Sequence, residues 1–298
     1  MVLDDTDLRL LRLLQRDGRA SYEALAREVG LSRTAARMRT NKLLDSGRIR
    51  VRGVVRPEVT DITTVGHVSV AIEGSAEKAA SALSQVPDVV YLAVAAGRYP
   101  LTAELRTTGM ERLADVVGRI RALPMVRDVD TLVYSAILRD RFQAERPYTP
   151  TELDTTDHVL LRELQQDGRM PFSELAVRAG LSAPAARARV LRLVEAGVVH
   201  VGAMVVPGAL GVEFLCGFLL AVDDPEGEAL SGIARSESTV FLARCMGRGD
   251  AVGTVVGASL DQVLQELDRL RSTPGVRLIE SWMHLHLAKE TYETDFGS

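Results

Sequence analysis

The chain is poor in the residues that most chemistry needs. Two cysteines, Cys216 and Cys245, are too few for a disulfide framework or a metal quartet. Aromatic side chains make up 4% of the chain, too few to line a large aromatic cavity generously. No nucleophile motif, phosphate loop or metalloprotease motif occurs. No apolar run approaches the length of a membrane span. The opening MVLDDTD is acidic and leads into no apolar stretch, so a secretory leader is not expected. Only Lys42, Lys78 and Lys289 are lysines, against 33 arginines, a bias of coding DNA rather than of mechanism. The expectation is a cytoplasmic protein that is not an enzyme, with no metal, no resident cofactor and no membrane partner.

What is present is unevenly charged. The net charge of −4 argues weakly against a polyanionic partner. Residues 1–55, however, hold 12 basic and 7 acidic side chains, whereas residues 206–298 hold 7 and 14. Local charge steers a polyanion more than the total does.

The chain also repeats itself. QRDGRASYEALAREVGLS begins at Gln15, and QQDGRMPFSELAVRAGLS begins at Gln165. From Leu3 to Gly47, 23 of 45 positions are identical at an offset of 150. The register survives later, where Gly97-Arg98 recurs as Gly247-Arg248 and Leu123-Pro124 stands opposite Thr273-Pro274. This is a tandem duplication, with a proline-bearing joint near Arg141–Thr151.

Each repeat opens with helices. Leu8, Leu10, Leu11, Leu13 and Leu14 give one apolar face, which Asp4 or Asp5 caps and Gly18 ends. Ser21 caps a second helix with Leu25, Ala26 and Val29 inward, and Gly30 ends it. Ser32 caps a third, with Ala36, Leu43 and Leu44 as core, closed by Gly47. The alternating RIRVRGVV, 48–55, reads as a strand, completing a winged or ribbon-bearing helix-turn-helix. The back of each repeat reads strand, helix, strand, strand, helix, strand, the βαββαβ order of a ferredoxin-like plait. The fold class is α+β. Its expected domains are 1–55 and 151–205 (helix-turn-helix) and 62–140 and 210–290 (plaits).

Leu3-Asp4, Asp7, Asp17-Gly18-Arg19, Leu25-Ala26, Gly30-Leu31-Ser32, Arg39, Leu43 and Gly47 all recur 150 positions on. With the plait behind it, this set resembles the Lrp/AsnC family of transcription regulators, over nearly the whole chain and twice. The resemblance implies a double-stranded DNA partner, a small-molecule effector (possibly an amino acid) and a homo-oligomer, here a dimer to tetramer of the fused chain. The family carries one repeat per chain and pairs through the plait. Here one chain carries the material for a pair.

The third helix would enter the major groove. In the first head its candidate contacts are Ser32, Arg33, Thr34, Arg37, Arg39, Asn41 and Lys42. Arginine reads guanine bidentately, and both cations grip phosphate. The second head offers Ser182, Arg187, Arg189 and Arg192, but Ala183 replaces Arg33 and Leu191 replaces Asn41. The family's effector sits near a glycine-containing loop ending in aspartate. Gly247-Arg248-Gly249-Asp250 fits it, since a carboxylate pairs with an ammonium and glycine amides hold a carboxylate. Gly97-Arg98-Tyr99-Pro100 lacks the acid, and the same residues in either loop also suit a plain turn.

Two other readings share this architecture. Sirohaem decarboxylases would need histidines and aromatics around a tetrapyrrole cavity, whereas the five histidines here (His67, His158, His200, His284, His286) are scattered along the sequence. An effector sensor without DNA binding would suit the acidic second half. His284 and His286, two apart on a strand, are expected on one face, without the further ligands of a metal site. The two cysteines read as small buried thiols.

Overall fold

The computed structural model describes residues 4–47, 49–140, 148–205 and 214–291. Residues 141–147 of the expected joint, and 210–213 at the start of the second expected plait, lie outside these. In chain order the elements are α1 (Asp5–Arg16), α2 (Tyr22–Val29), α3 (Arg33–Asp45), β1 (Ile49–Val55), β2 (Thr64–Ile72), α4 (Ala76–Ser84), β3 (Val89–Ala96), β4 (Leu101–Thr107), α5 (Met110–Arg121) and β5 (Val126–Asp140). The order then recurs as α6 (Thr155–Gln166), α7 (Phe172–Ala179), α8 (Ala183–Glu195), β6 (Val199–Val205), β7 (Phe214–Val222), α9 (Glu228–Ala234), β8 (Thr239–Met246), β9 (Ala251–Gly257), α10 (Leu260–Arg271) and β10 (Val276–Glu290).

The chain divides in space against the grain of its repeat. One compact unit gathers both helical heads, and the other gathers both plaits.

In the first unit the caps act as the sequence implies. The Asp4 carboxylate accepts the Asp7 N–H at 2.8 Å in a reciprocal capping box, and Asp154 does the same with Asp157. Ser32 and Ser182 accept from the third residue beyond. Leu10, Leu14, Leu25 and Leu43 share one buried cluster with Leu160, Leu164, Leu175 and Leu193 of the other head. Neither head closes its own core. Truncating any one of these leucines to alanine would cost about 2–5 kcal/mol.

The strand expected after the third helix is β1. It pairs antiparallel with β6 over all seven residues, with Arg52 opposite Gly202. A lone strand needs a partner for its backbone groups, and the duplication supplies one.

The repeated Asp-Gly-Arg phrase is the clasp of this pair. Gly18 N–H donates to the Val201 carbonyl at 2.8 Å, and Gly168 N–H to that of Val51 at 2.9 Å. Arg19 donates to the carbonyls of Gly168 and Met170 and lies 4.3 Å above the Phe172 ring centroid. Arg169 returns the exchange to Gly18 and Tyr22. A Cβ on Gly18 would sit 2.5 Å from a Val51 methyl, so close approach requires glycine here.

In the second unit the plaits close into one eight-stranded barrel, in the order β10-β3-β4-β2-β5-β8-β9-β7. β5 pairs with β2 up to Val133 and with β8 from Val133 onward. β10 likewise leaves β7 and joins β3 at Met283. The helix-facing sides carry separate cores, Val68, Leu83, Leu105 and Ile120 in one plait and Phe218, Leu230, Val255 and Leu270 in the other.

A bulge between His284 and His286 breaks the alternation of β10. The two histidines therefore do not share a face: the unpaired ring nitrogen of His284 is buried, and His286 is exposed. No cluster of three or more metal-ligating side chains occurs among the described residues. Cys216 and Cys245 are free and buried, and burial pushes their thiols up to about 11 and about 12.

Candidate functional site

α3 stands on Ala36, Thr40 and Leu43, which are buried against the head. The opposite face follows from the helical period. Arg33, Thr34, Arg37, Met38 and Lys42 are exposed there, with Met38 at 68%. Arg33 and Arg37 are one turn apart and have no ion-pair partner among the described residues. Ser32 is exposed, its hydroxyl occupied in the cap. Asn41 is half-buried and accepts a hydrogen bond from the Tyr22 hydroxyl at 2.9 Å, which fixes its amide at the edge of the face.

Arg39 has a different position. Its guanidinium donates to Asp4 at 2.6 Å and to Asp7 at 2.8 Å, tying α3 to the start of α1. Those hydrogen bonds raise the Arg39 pKa, and the Asp7 amide, followed by Arg39, lowers that of Asp4.

The second head repeats the tie and adds to it. Arg189 donates to Asp154 at 2.6 Å and to Asp157 at 3.0 Å. Arg192 also reaches Asp157, whose side chain is 1% exposed. Of the arginines expected at DNA on α8, only Arg187 is exposed without an ion pair among the described residues. The rest of that face is Pro184, Ala188 and Leu191.

The two plait loops differ as much. In the β8–β9 loop the Asp250 carboxylate accepts the Val222 N–H at 2.9 Å, pinning the end of β7. Arg248 binds Asp130 at 2.5 Å and Glu280 at 2.6 Å, and its guanidinium lies 5.6 Å from the Tyr99 ring centroid. Gly247 takes φ 148° against Leu132, and Gly249 is buried. In the β3–β4 loop Gly97 packs on Trp282, Tyr99 is buried, and exposed Arg98 lies 5.3 Å from the Tyr99 centroid. Asp130 and Glu280 are equivalent positions of the repeat, as are Arg98 and Arg248. One arginine takes both acids and leaves the other with neither. Sequence reasoning missed Asp130 and Glu280, though their spacing of 150 was a signal.

One unit is thus a pair of helix-turn-helix heads, and the other a pair of plaits closed into one barrel. The comparisons agree. An AsnC-type helix-turn-helix domain matches residues 3–44 and again 153–194, and an Lrp/AsnC ligand-binding domain matches residues 65–143. The transcriptional regulator LrpA of Mycobacterium tuberculosis is 37% identical over 129 residues, 42% of this chain and 85% of that protein. The proline dehydrogenase transcriptional activator of Rhizobium radiobacter is 31% identical over 137 residues, 44% of this chain and 88% of that protein. A siroheme decarboxylase crystal structure superposes with a TM-score of 0.64 over 98% of this chain and 95% of its own, at 16% identity, which shows a shared fold.

The chain belongs to the Lrp/AsnC family. It is a helix-turn-helix transcription regulator of that type, with the family's DNA-binding domain present twice. No described helix is long and apolar enough to cross a membrane.

Proposed function

We propose that the protein is a sequence-specific regulator in which the first head reads DNA and the second mainly braces it. The observation that carries this is the state of the arginines. Arg33, Arg37 and Lys42 stand exposed on one face of α3 with no ion-pair partner among the described residues, whereas Arg189 and Arg192 on α8 are held by Asp157. Free guanidinium groups are available to guanine and phosphate. Arg33, Thr34 and Arg37 are the base-reading set, with Asn41 at its edge. Lys42 and the α3 N-terminus at Ser32 hold phosphate. Arg187, near the start of α8 at Ser182, gives the second head one contact. Arg39 and Arg189 position the helices instead of reading.

The effector on this reading is an amino acid at the β8–β9 loop. Its ammonium meets the Asp250 oxygen not used by Val222 N–H, and its carboxylate meets the amides of Gly247–Gly249. The β3–β4 loop, with Arg98 and Tyr99 and no acid, is the weaker partner. Assembly of the fused chain into a dimer or tetramer completes the family pattern.

Hydroxyl-radical footprinting on DNA from upstream of the protein's own coding sequence tests the lopsided head. Strong protection of one half-site, with a weak second patch about one helical turn away, is expected. Equal protection of two symmetric half-sites would overturn it.

A further inference from the structure

The inner wall of the barrel is more polar on one side than on the other. The first plait lines it with His67, Ser69, Thr102 and Glu104, where the repeat places Gly217, Leu219, Val252 and Thr254 in the second. The aromatic pairs differ in the same sense. Tyr134 and Phe241 pack at 5.6 Å, and the equivalent pair is His284 with Tyr91 at 5.9 Å. The latter pair is hydrogen-bonded, Tyr91 hydroxyl to His284 Nδ1, at 2.6 Å.

Two polar atoms at this place have no partner. Trp282 Nε1 and His284 Nε2 are both shut off from solvent and both unpaired. They belong to alternate residues of β10, whose Cα atoms stand about 7 Å apart with side chains on one side of the strand. Neither side chain is loosely held. The Trp282 ring lies against Gly217, where a Cβ would fall 2.2 Å from it, and 5.6 Å from the His67 ring. His67 itself is held between the Ser69 and Thr102 hydroxyls. Buried polar groups are almost always satisfied, so two orphans on one wall call for an occupant.

We propose that the barrel interior beside Trp282 is a second small-molecule site, for a planar, uncharged heterocycle that carries two hydrogen-bond acceptors. The Trp282 indole N–H donates to one acceptor. On this proposal the Tyr91 hydroxyl is the donor to Nδ1, the tautomer that puts the His284 proton on Nε2 to meet the other acceptor. The rings of Trp282, His67, His284 and Tyr91 favour a flat occupant. Charge is disfavoured. Glu104 is paired with Arg106 at 2.9 Å, and Arg248 is balanced by Asp130 and Glu280 through Nε and Nη1, its Nη2 being a third buried donor without a partner among the described residues. Burial keeps both histidines neutral near pH 7. A zwitterionic amino acid belongs to the β8–β9 loop and not here.

Trp282 is the only tryptophan, so its fluorescence reports on this place alone. The test titrates the full chain with uracil as the uncharged planar probe and with leucine as the zwitterionic one, with calorimetry for stoichiometry. A saturable change with uracil, one per chain, and none with leucine is expected. By calorimetry, uracil should bind at least about tenfold more weakly to Trp282→Phe and to His284→Phe, each chosen to melt near wild type and to bind DNA normally. No saturable change with uracil up to about 10 mM would overturn the proposal, since even a fragment with two hydrogen bonds should be held below that. Equal binding to wild type and both variants would overturn it too, leaving water as the occupant. A saturable response to leucine instead would overturn the uncharged class.

Discussion

Arg37 and Arg39 are the same residue type, two positions apart on one helix, with opposite employment. The helical period turns Arg37 to solvent and Arg39 toward Asp4 and Asp7. Sequence alone groups both as groove arginines, because a guanidinium's partner 35 residues away is invisible in it. The difference predicts separable phenotypes. Arg39→Ala lowers the thermal midpoint by calorimetry, and Arg37→Ala leaves it unchanged while weakening DNA binding. The second head gives a sharper case. Asp157 is buried, receives Arg189 and Arg192, and closes the capping box with Asp154. Asp157→Ala should cost about 1–3 kcal/mol in urea unfolding, because the cap is lost and two arginines lose their acceptor. An unchanged urea midpoint would refute that role.

The helices were the most legible elements. Their caps are local, so Asp4, Ser21, Ser32 and Gly30 marked ends that the structure places there. The strands were legible as strands but not in their pairing. The partner of β1, β6, lies 150 residues away, and alternation does not say which strand lies alongside. The bulge in β10 was hidden for a related reason, since register shifts belong to the pair of strands and not to either one. Asp-Gly-Arg was legible as a signature, and its work as a clasp appeared only with the two heads together. That work is testable. Gly18→Ala drives a Cβ to 2.5 Å from a Val51 methyl at the shared ribbon. It should destabilise the paired heads by about 1–3 kcal/mol and weaken DNA binding with α3 unaltered in sequence. Wild-type stability in that variant would show that the ribbon gives way easily.

Over the whole molecule, duplication has let equivalent positions diverge. Arg33 faces Ala183, His67 faces Gly217, and Trp282 faces Leu132 across the repeat. The histidines that look scattered in sequence are in part gathered by the barrel, where His67 and His284 flank Trp282. Their burial has a pH consequence. Burial, then His284 and Arg248, lowers His67 to about 3, and burial lowers His284 to about 4. The groups facing them are the Ser69 and Thr102 hydroxyls, Arg248, and the Tyr91 hydroxyl. Unfolded histidine takes up a proton below pH about 6.5, and these two do not while folded. Stability is therefore full above that pH and falls as pH drops toward 4, by about 1.4 kcal/mol per unit for each histidine. Urea midpoints at pH 7 and pH 5 check this, and a His67→Asn variant should show the shallower loss.

The central claim is that one head reads DNA with arginines the fold leaves free. It is tested most directly by fluorescence-anisotropy binding to the upstream DNA across a salt series, for wild type, Arg33→Ala/Arg37→Ala and Arg187→Ala. A steep salt slope for wild type is predicted. The first-head pair should lose the specific affinity and flatten the slope by about 2, and Arg187→Ala should shift it by about 1 at most. Equal losses in the two heads, or an unchanged affinity in the first-head pair, would contradict the account.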